Sequence, residues 1–214
     1  MHQWTDIFIL GLVLTNFHLL ATSRLKAVIQ TTVFQAIVLS VIILTITDRP
    51  WSPMLLALSM ITFTVKGALL PWLLSRAMKK VSVLREIEPI VGYSISVLTG
   101  MILLVLSFVI SLPLRTSVSM GSTFLLPGAL FTTLTGLMMI VSRKKALTQV
   151  VGYLVMENGV YTFGAALAVK EPMLVQMGVL LDVFVAVFIM GITVHQIARE
   201  FDHIDTDRLS ELKD

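Results

Sequence analysis

The chain has 214 residues, 56% of them hydrophobic and only 14% charged, with a mean hydropathy of +0.91; a soluble domain carries about 25% charge, so the composition is that of an integral membrane protein. The net charge of +3 sits in short clusters between apolar runs, not on one face or tail, which speaks against nucleic acid as a partner. With no cysteine there is no disulfide framework, thiolate metal site or cysteine nucleophile, and the four scattered histidines offer no ligand spacing.

A hydrocarbon core of about 30 Å needs about 20 apolar residues per helix. Seven runs reach that length: 4–22, 27–47, 53–75, 90–112, 123–141, 146–169 and 172–198. The first begins close to Met1 with neither a basic n-region nor a small-residue cleavage site, and reads as a retained span. Asp48-Arg49-Pro50 and Pro53 separate the second and third runs. Glu88-Pro89 opens the fourth, Pro113 ends it, and Glu171-Pro172 divides the last two, because proline cannot continue a helix. The mixed-charge stretch SRAMKKVSVLREIEP after the third run suits a short interfacial helix, but reads rather as a solvated connector. The alternating segments of about 10 residues that build a membrane β-barrel are missing.

Lys and Arg set the orientation. One side collects Arg24, Lys26, Arg76, Lys79, Lys80, Arg85, Arg143, Lys144, Lys145, Arg199, Arg208 and Lys213, and the other has Arg49, Arg115 and Lys170. The first side is cytoplasmic by this rule. The expected fold is therefore an all-α integral membrane protein with seven transmembrane helices, the N-terminus outside and the C-terminus cytoplasmic. The organisation expected is a four-helix membrane segment over 1–112, a three-helix segment over 113–198 and a cytoplasmic tail over 199–214.

Ser23-Arg24-Leu25-Lys26-Ala27 aligns with Ser142-Arg143-Lys144-Lys145-Ala146, and the same offset pairs Gln30 with Gln149 and Pro53-Met54-Leu55 with Pro172-Met173-Leu174. Spans 1–3 then match spans 5–7, either as a parallel repeat about the membrane normal or as chance similarity between apolar helices bounded by basic loops. In both cases Glu157 faces Val38 and Asp182 faces Phe63, so the acidic pair belongs to the second triplet alone.

Three residues with a full charge fall well inside a span: Lys66, Glu157 and Asp182. At ~1.5 Å per residue, Glu157 lies about 17 Å from the cytoplasmic end, and Asp182 and Lys66 about 15 and 20 Å from the outer end. All three sit near the midplane, where an ionisable group costs roughly 2.5–3.5 kcal/mol on insertion scales and persists when it is paired, hydrated or functional. Two readings follow. Lys66 can bridge to one acid and glue helices together, or the three can form a proton or charge relay. In a relay, burial favours a neutral carboxyl and a nearby ammonium favours a charged one, and the two nearly balance.

Gly152, Gly159 and Gly164 flank Glu157 and suit close helix packing, which makes the sixth span central; Asn158-Gly159 can also accommodate a π-bulge or water. His18, His195, Gln30, Gln35 and Gln149 lie towards cytoplasmic halves, where they either anchor helix ends at the interface or extend a water path inward. G-x-S-x-G, H-E-x-x-H, Walker and dinucleotide motifs are missing, so the sequence gives no support for a standalone enzyme.

The basic loop Ser142-Arg143-Lys144-Lys145, the midspan Glu157-Asn158 and the acid Asp182 resemble the K-type subunit of respiratory complex I and the C-type subunit of multi-subunit cation/proton antiporters. Asp182 departs from the glutamate usual in complex I. The ending Asp207-Arg208-Leu209-Ser210-Glu211-Leu212-Lys213 is similar to the D-x-x-S-E-[LM]-[KR] ending of bacterial K-type subunits. Lys66-Gly67-Ala68-Leu69-Leu70-Pro71 is similar to the K-x-x-x-x-P element of antiporter-like subunits, without the rest of that motif. With its extra N-terminal spans the whole chain resembles the hydrogenase-4 component E family, K-like membrane subunits of energy-converting [NiFe] hydrogenase and formate hydrogenlyase complexes.

The resemblance implies a non-catalytic subunit without cofactors in a bacterial or archaeal cytoplasmic membrane. It implies partners too: an antiporter-like membrane subunit, the membrane anchor of a redox module and other hydrogenase subunits. Glu157, Asp182 and Lys66 would then continue an axis of charges coupling redox chemistry elsewhere to ion translocation. The rival readings are a structural membrane spacer and an autonomous small secondary transporter.

Overall fold

The computed structural model describes residues 2–46, 53–81, 91–117 and 123–167, and every element in them is a helix. In chain order these are α1 (His2–Ala21), α2 (Leu25–Ile46), α3 (Pro53–Thr62), a π-helical segment (Phe63–Leu69), α4 (Leu70–Val81), α5 (Tyr93–Ser117), α6 (Leu125–Ser142) and α7 (Ala146–Leu167). Trp4–Ala21, Leu25–Ile42, Tyr93–Pro113 and Leu125–Ser142 are long and apolar enough to cross a membrane. The seventh predicted span lies outside the described residues.

Two expectations about helix ends are corrected. The third span does not stop at 75, because α3, the π segment and α4 follow one another without a break to Val81, so SRAMKKV is helical and not part of a connector. Pro113 does not end the fourth span: α5 carries it inside and runs on to Ser117. A membrane helix tolerates an internal proline because neighbouring groups and small local adjustments satisfy the carbonyl it frees.

The π segment is on the third helix, around Lys66, whereas α7 stays α-helical through Asn158-Gly159, contrary to the bulge considered there. Its physical cause is close by. Pro71 has no N–H for the carbonyl of Gly67, and its ring crowds that carbonyl. Widening the preceding turn, with the N–H of Leu70 reaching back five residues to the carbonyl of Val65, lets the helix continue.

α5 packs with small residues inside and large ones outside. On α5, Ser96, Gly100, Ser107 and Ser111 are buried, while Leu98, Ile102, Val105 and Val109 are exposed. That is the arrangement expected where the surroundings are as apolar as the interior and close approach decides the interface. The tightest pairing is between α6 and α7. A Cβ on Gly136 would fall on the backbone of Met156 and Gly152, and one on Gly159 on the backbone of Thr133. The glycines beside Glu157 therefore bring α7 into backbone contact with α6, and α7 also meets α2 and α4. At the offset of the possible repeat, Gly136 and Gly159 correspond to Phe17 and Ser40, so α1 and α2 lack the residues for such a contact.

The apolar core divides into two layers. One contains Leu19, Leu20, Leu25, Val28, Leu70, Leu74, Met139 and Val151. The other contains Ile9, Leu12, Val38, Leu39, Ile42, Leu125 and Tyr161. Each of α1, α2, α6 and α7 carries a buried polar residue between the two layers: Asn16, Gln35, Thr132, and Glu157 with Asn158.

Candidate functional site

Lys66 enters this middle layer from the π segment. Its ammonium donates to Glu157 Oε1 at 3.0 Å and to Asn158 Oδ1 at 3.3 Å, and it lies 5.4 Å from the centre of the Tyr161 ring. Lys66 is 7% exposed and Glu157 1%, so the pair is enclosed by protein. Glu157, Asn158 and Tyr161 all come from α7, the last one turn beyond the first, so a single helix face supplies an anion, an amide carbonyl and a π-face to one cation.

The contact does not end at Asn158. Its amide donates to Gln35 Oε1 at 3.3 Å, and the Gln35 amide donates to Asn16 Oδ1 at 2.8 Å and to Thr15 Oγ1 at 3.0 Å. Asn16 donates to Thr132 Oγ1 at 2.8 Å, and Thr132 donates to the carbonyl of Gly128 at 2.8 Å. One hydrogen-bonded chain thus joins the third helix, α7, α2, α1 and α6. Its sense is fixed by the ammonium. A cation can be met only by an amide oxygen, so Asn158 must turn its NH₂ to Gln35, which must turn its own to α1. Every donor in the chain points away from Lys66, an alignment in which each bond polarises the next.

Of the predicted site residues, Lys66, Glu157 and Asn158 meet. Gln149, in the first turn of α7, donates to the backbone carbonyl of Arg143 at 2.8 Å and serves the α6–α7 corner. His18 is exposed on α1, with Nδ1 2.9 Å from Thr31 Oγ1, and Gln30 is exposed on α2. These two line a shallow groove between α1 and α2 and do not touch the pair. Asp182 and His195 lie outside the described residues.

Sequence reasoning missed Asn16, Thr15, Thr132 and Tyr161, and it read Gln35 as an interfacial anchor or part of a water path, without its partners. An amide in midspan is itself costly in lipid, so a search extended from charges to amides would have found Asn16. It also missed Arg143, grouped with the topology-setting cations. Arg143 is 1% exposed, donates from Nη2 to the carbonyl of Leu20 at 3.1 Å and stacks 4.7 Å from the Tyr93 ring. Leu20 carries one of the last four carbonyls of α1, which no intrahelical donor reaches. Arg143 therefore caps α1 while holding the start of α5, whereas Arg24, its counterpart at the repeat offset, is exposed.

Comparison with known proteins gives the class first. Residues 124–214 match the family model of NADH-ubiquinone/plastoquinone oxidoreductase chain 4L. Across the longer chain, hydrogenase-4 component E of Escherichia coli K12 is 31% identical over 180 residues, covering 84% of this chain and 83% of that protein. The same component of Shigella flexneri is equally similar. A Mycobacterium tuberculosis protein described as uncharacterized is 30% identical over 206 residues, covering 95% of this chain and 93% of its own length. No solved structure is significantly similar. The chain belongs to the hydrogenase-4 component E family of membrane-embedded proteins, related to the K-like subunit of complex I.

Proposed function

We propose that this chain is a non-catalytic membrane subunit of an energy-converting hydrogenase complex, in which the Lys66–Glu157 pair is one station of a proton or charge relay. The observation that carries the reading is the pair itself, enclosed between two apolar layers and tied to a polar chain through five helices. Burial favours a neutral carboxyl and the ammonium at 3.0 Å favours a charged one, and where the two nearly balance the pair can take up and pass on a proton at little cost. In this reading the chain crosses the cytoplasmic membrane seven times with its C-terminus inside. Its 113–198 segment is the K-like part, Asp182 is a further station, and the flanking partners are an antiporter-like subunit and the membrane anchor of the redox module.

The second reading is structural. A buried ion pair between two helices is also what a spacer would use to fix their register. Glu157→Gln separates the two, since glutamine keeps a carbonyl for Lys66 and cannot ionise. Subunit content of the purified complex and proton pumping by inverted vesicles are measured for Glu157→Gln, Asp182→Asn and Lys66→Met. The relay predicts an assembled Glu157→Gln complex whose pumping is lost; assembly with normal pumping defeats it, and failed assembly favours the spacer.

A further inference from the structure

The polar chain has an end that the buried pair does not explain. Thr15 Oγ1 accepts from Gln35 Nε2 inside the bundle, yet Thr15 also lines the groove of about 500 Å³ between α1 and α2, which is open along the surface of the two helices. Gly11, Leu14, Thr15, His18, Ala27, Gln30, Thr31 and Phe34 surround it, and half of these are polar. Gly11 leaves open space, since a Cβ there would meet nothing within 4 Å.

By area most of the exposed lining is apolar, and the polar atoms gather at four side chains, Thr15, His18, Gln30 and Thr31. Exposed His18 and Gln30, with Thr15 and Thr31 beside them and Leu14 and Phe34 at its edges, form one patch on the flank of two helices that otherwise present Trp4, Ile7, Leu10 and Ile37. Polar groups turned to lipid at this depth cost free energy unless water or protein satisfies them. Water entering from the membrane surface would find several hydrogen-bonding partners in these four side chains.

The depth of the groove fits an inlet. His18 lies three residues from the end of α1 at Ala21, and Gln30 five residues from the start of α2 at Leu25. Thr15, six residues from that end, is about 9 Å in, and Gln35, ten residues in, about 15 Å. Glu157 is eleven residues from the start of α7, about 17 Å in. Arg143 bonding to Leu20 holds the α1 and α6–α7 ends together, so these depths are measured from one side. That side carries Arg24, Lys26, Arg143, Lys144 and Lys145.

We infer that the α1–α2 groove is a water-filled inlet through which protons reach the Lys66–Glu157 pair, with His18, Gln30 and Thr31 at its mouth and Thr15 at its floor. Side-chain amides do not release protons near neutral pH, so the proton travels on water that enters beside Gln35 and Asn158, whose direct hydrogen bonds orient the pair. A hydronium arriving from the floor leaves its proton on the pair and returns to water. Hydration of the groove belongs to this inference, and that protons use it rests in addition on the relay reading.

The chain has no cysteine, so single cysteines report access without background from this subunit. Thr15→Cys and Thr31→Cys are introduced into the intact complex in membrane vesicles and treated with a small charged methanethiosulfonate reagent. Leu10→Cys and Ile37→Cys, on the apolar flanks of the same helices, serve as references. Labelling of this chain at Thr15→Cys and Thr31→Cys at least ten-fold faster than at either reference, with proton pumping reduced at least two-fold after modification, is the expected result. Two engineered sites guard against one variant failing to assemble. Labelling no faster than the references, or full labelling with unchanged pumping, overturns the inlet. A dry groove in a complex that Glu157→Gln inactivates sinks this inference alone, and a labelled groove in a complex that pumps normally with Glu157→Gln sinks the relay.

Discussion

Replacing Lys66 by methionine tests how the buried charges are balanced. At 3.0 Å and an effective dielectric constant of 20, the attraction between Nζ and Oε1 is about 5.5 kcal/mol, set against the desolvation of both ions. Removing one partner of such a pair typically costs ~3–5 kcal/mol, because the other charge stays buried. Glu157 has an escape: taking up a proton from solution at pH 7 costs an ordinary glutamate about 3.7 kcal/mol, and each unit of lower pH reduces that by about 1.4 kcal/mol. Lys66→Met should therefore destabilise the purified complex by ~3–4 kcal/mol at neutral pH, and the penalty should shrink on acidification. The double variant Lys66→Met/Glu157→Gln, which buries no ion, should recover most of the loss. The assay is thermal loss of this subunit from the detergent-solubilised complex between pH 5.5 and 8. A Lys66→Met complex as stable as the parent at pH 8, or a double variant no better than the single, would refute this account of the pair.

Three further outcomes are expected. Gly136→Leu or Gly159→Leu puts a side chain where the α6 and α7 backbones meet and should abolish accumulation of the subunit, whereas Gly11→Ala, with open space around it, should leave its amount unchanged in membrane immunoblots. Arg143→Ala removes a charged hydrogen bond to Leu20 and the stacking on Tyr93, and should cost ~1.5–3 kcal/mol in the same thermal assay, with Arg24→Ala silent. A reporter fused after Asp214 should report the cytoplasmic side, and an external signal would reverse the proposed topology.

The membrane class, four of the helices long enough to cross a bilayer and the improbability of Lys66 and Glu157 were legible in the sequence. Each follows from local composition and length: about 20 apolar residues cross a bilayer whatever they pack against, and a midspan charge is costly whatever its partner. Glycines near Glu157 likewise announced close packing, since small residues let membrane helices approach. The partner of Lys66 was not legible, because three charges at similar depth satisfy the same arithmetic and only the rotation of each helix about its axis says which two meet. In lipid that rotation leaves little trace in the sequence, as inward and outward faces are both apolar and no polar side marks the exterior. Tertiary packing therefore decided that Lys66 meets Glu157, that the ammonium orients amides through α7, α2 and α1, and that Arg143 is buried as a cap while Arg24 stays outside.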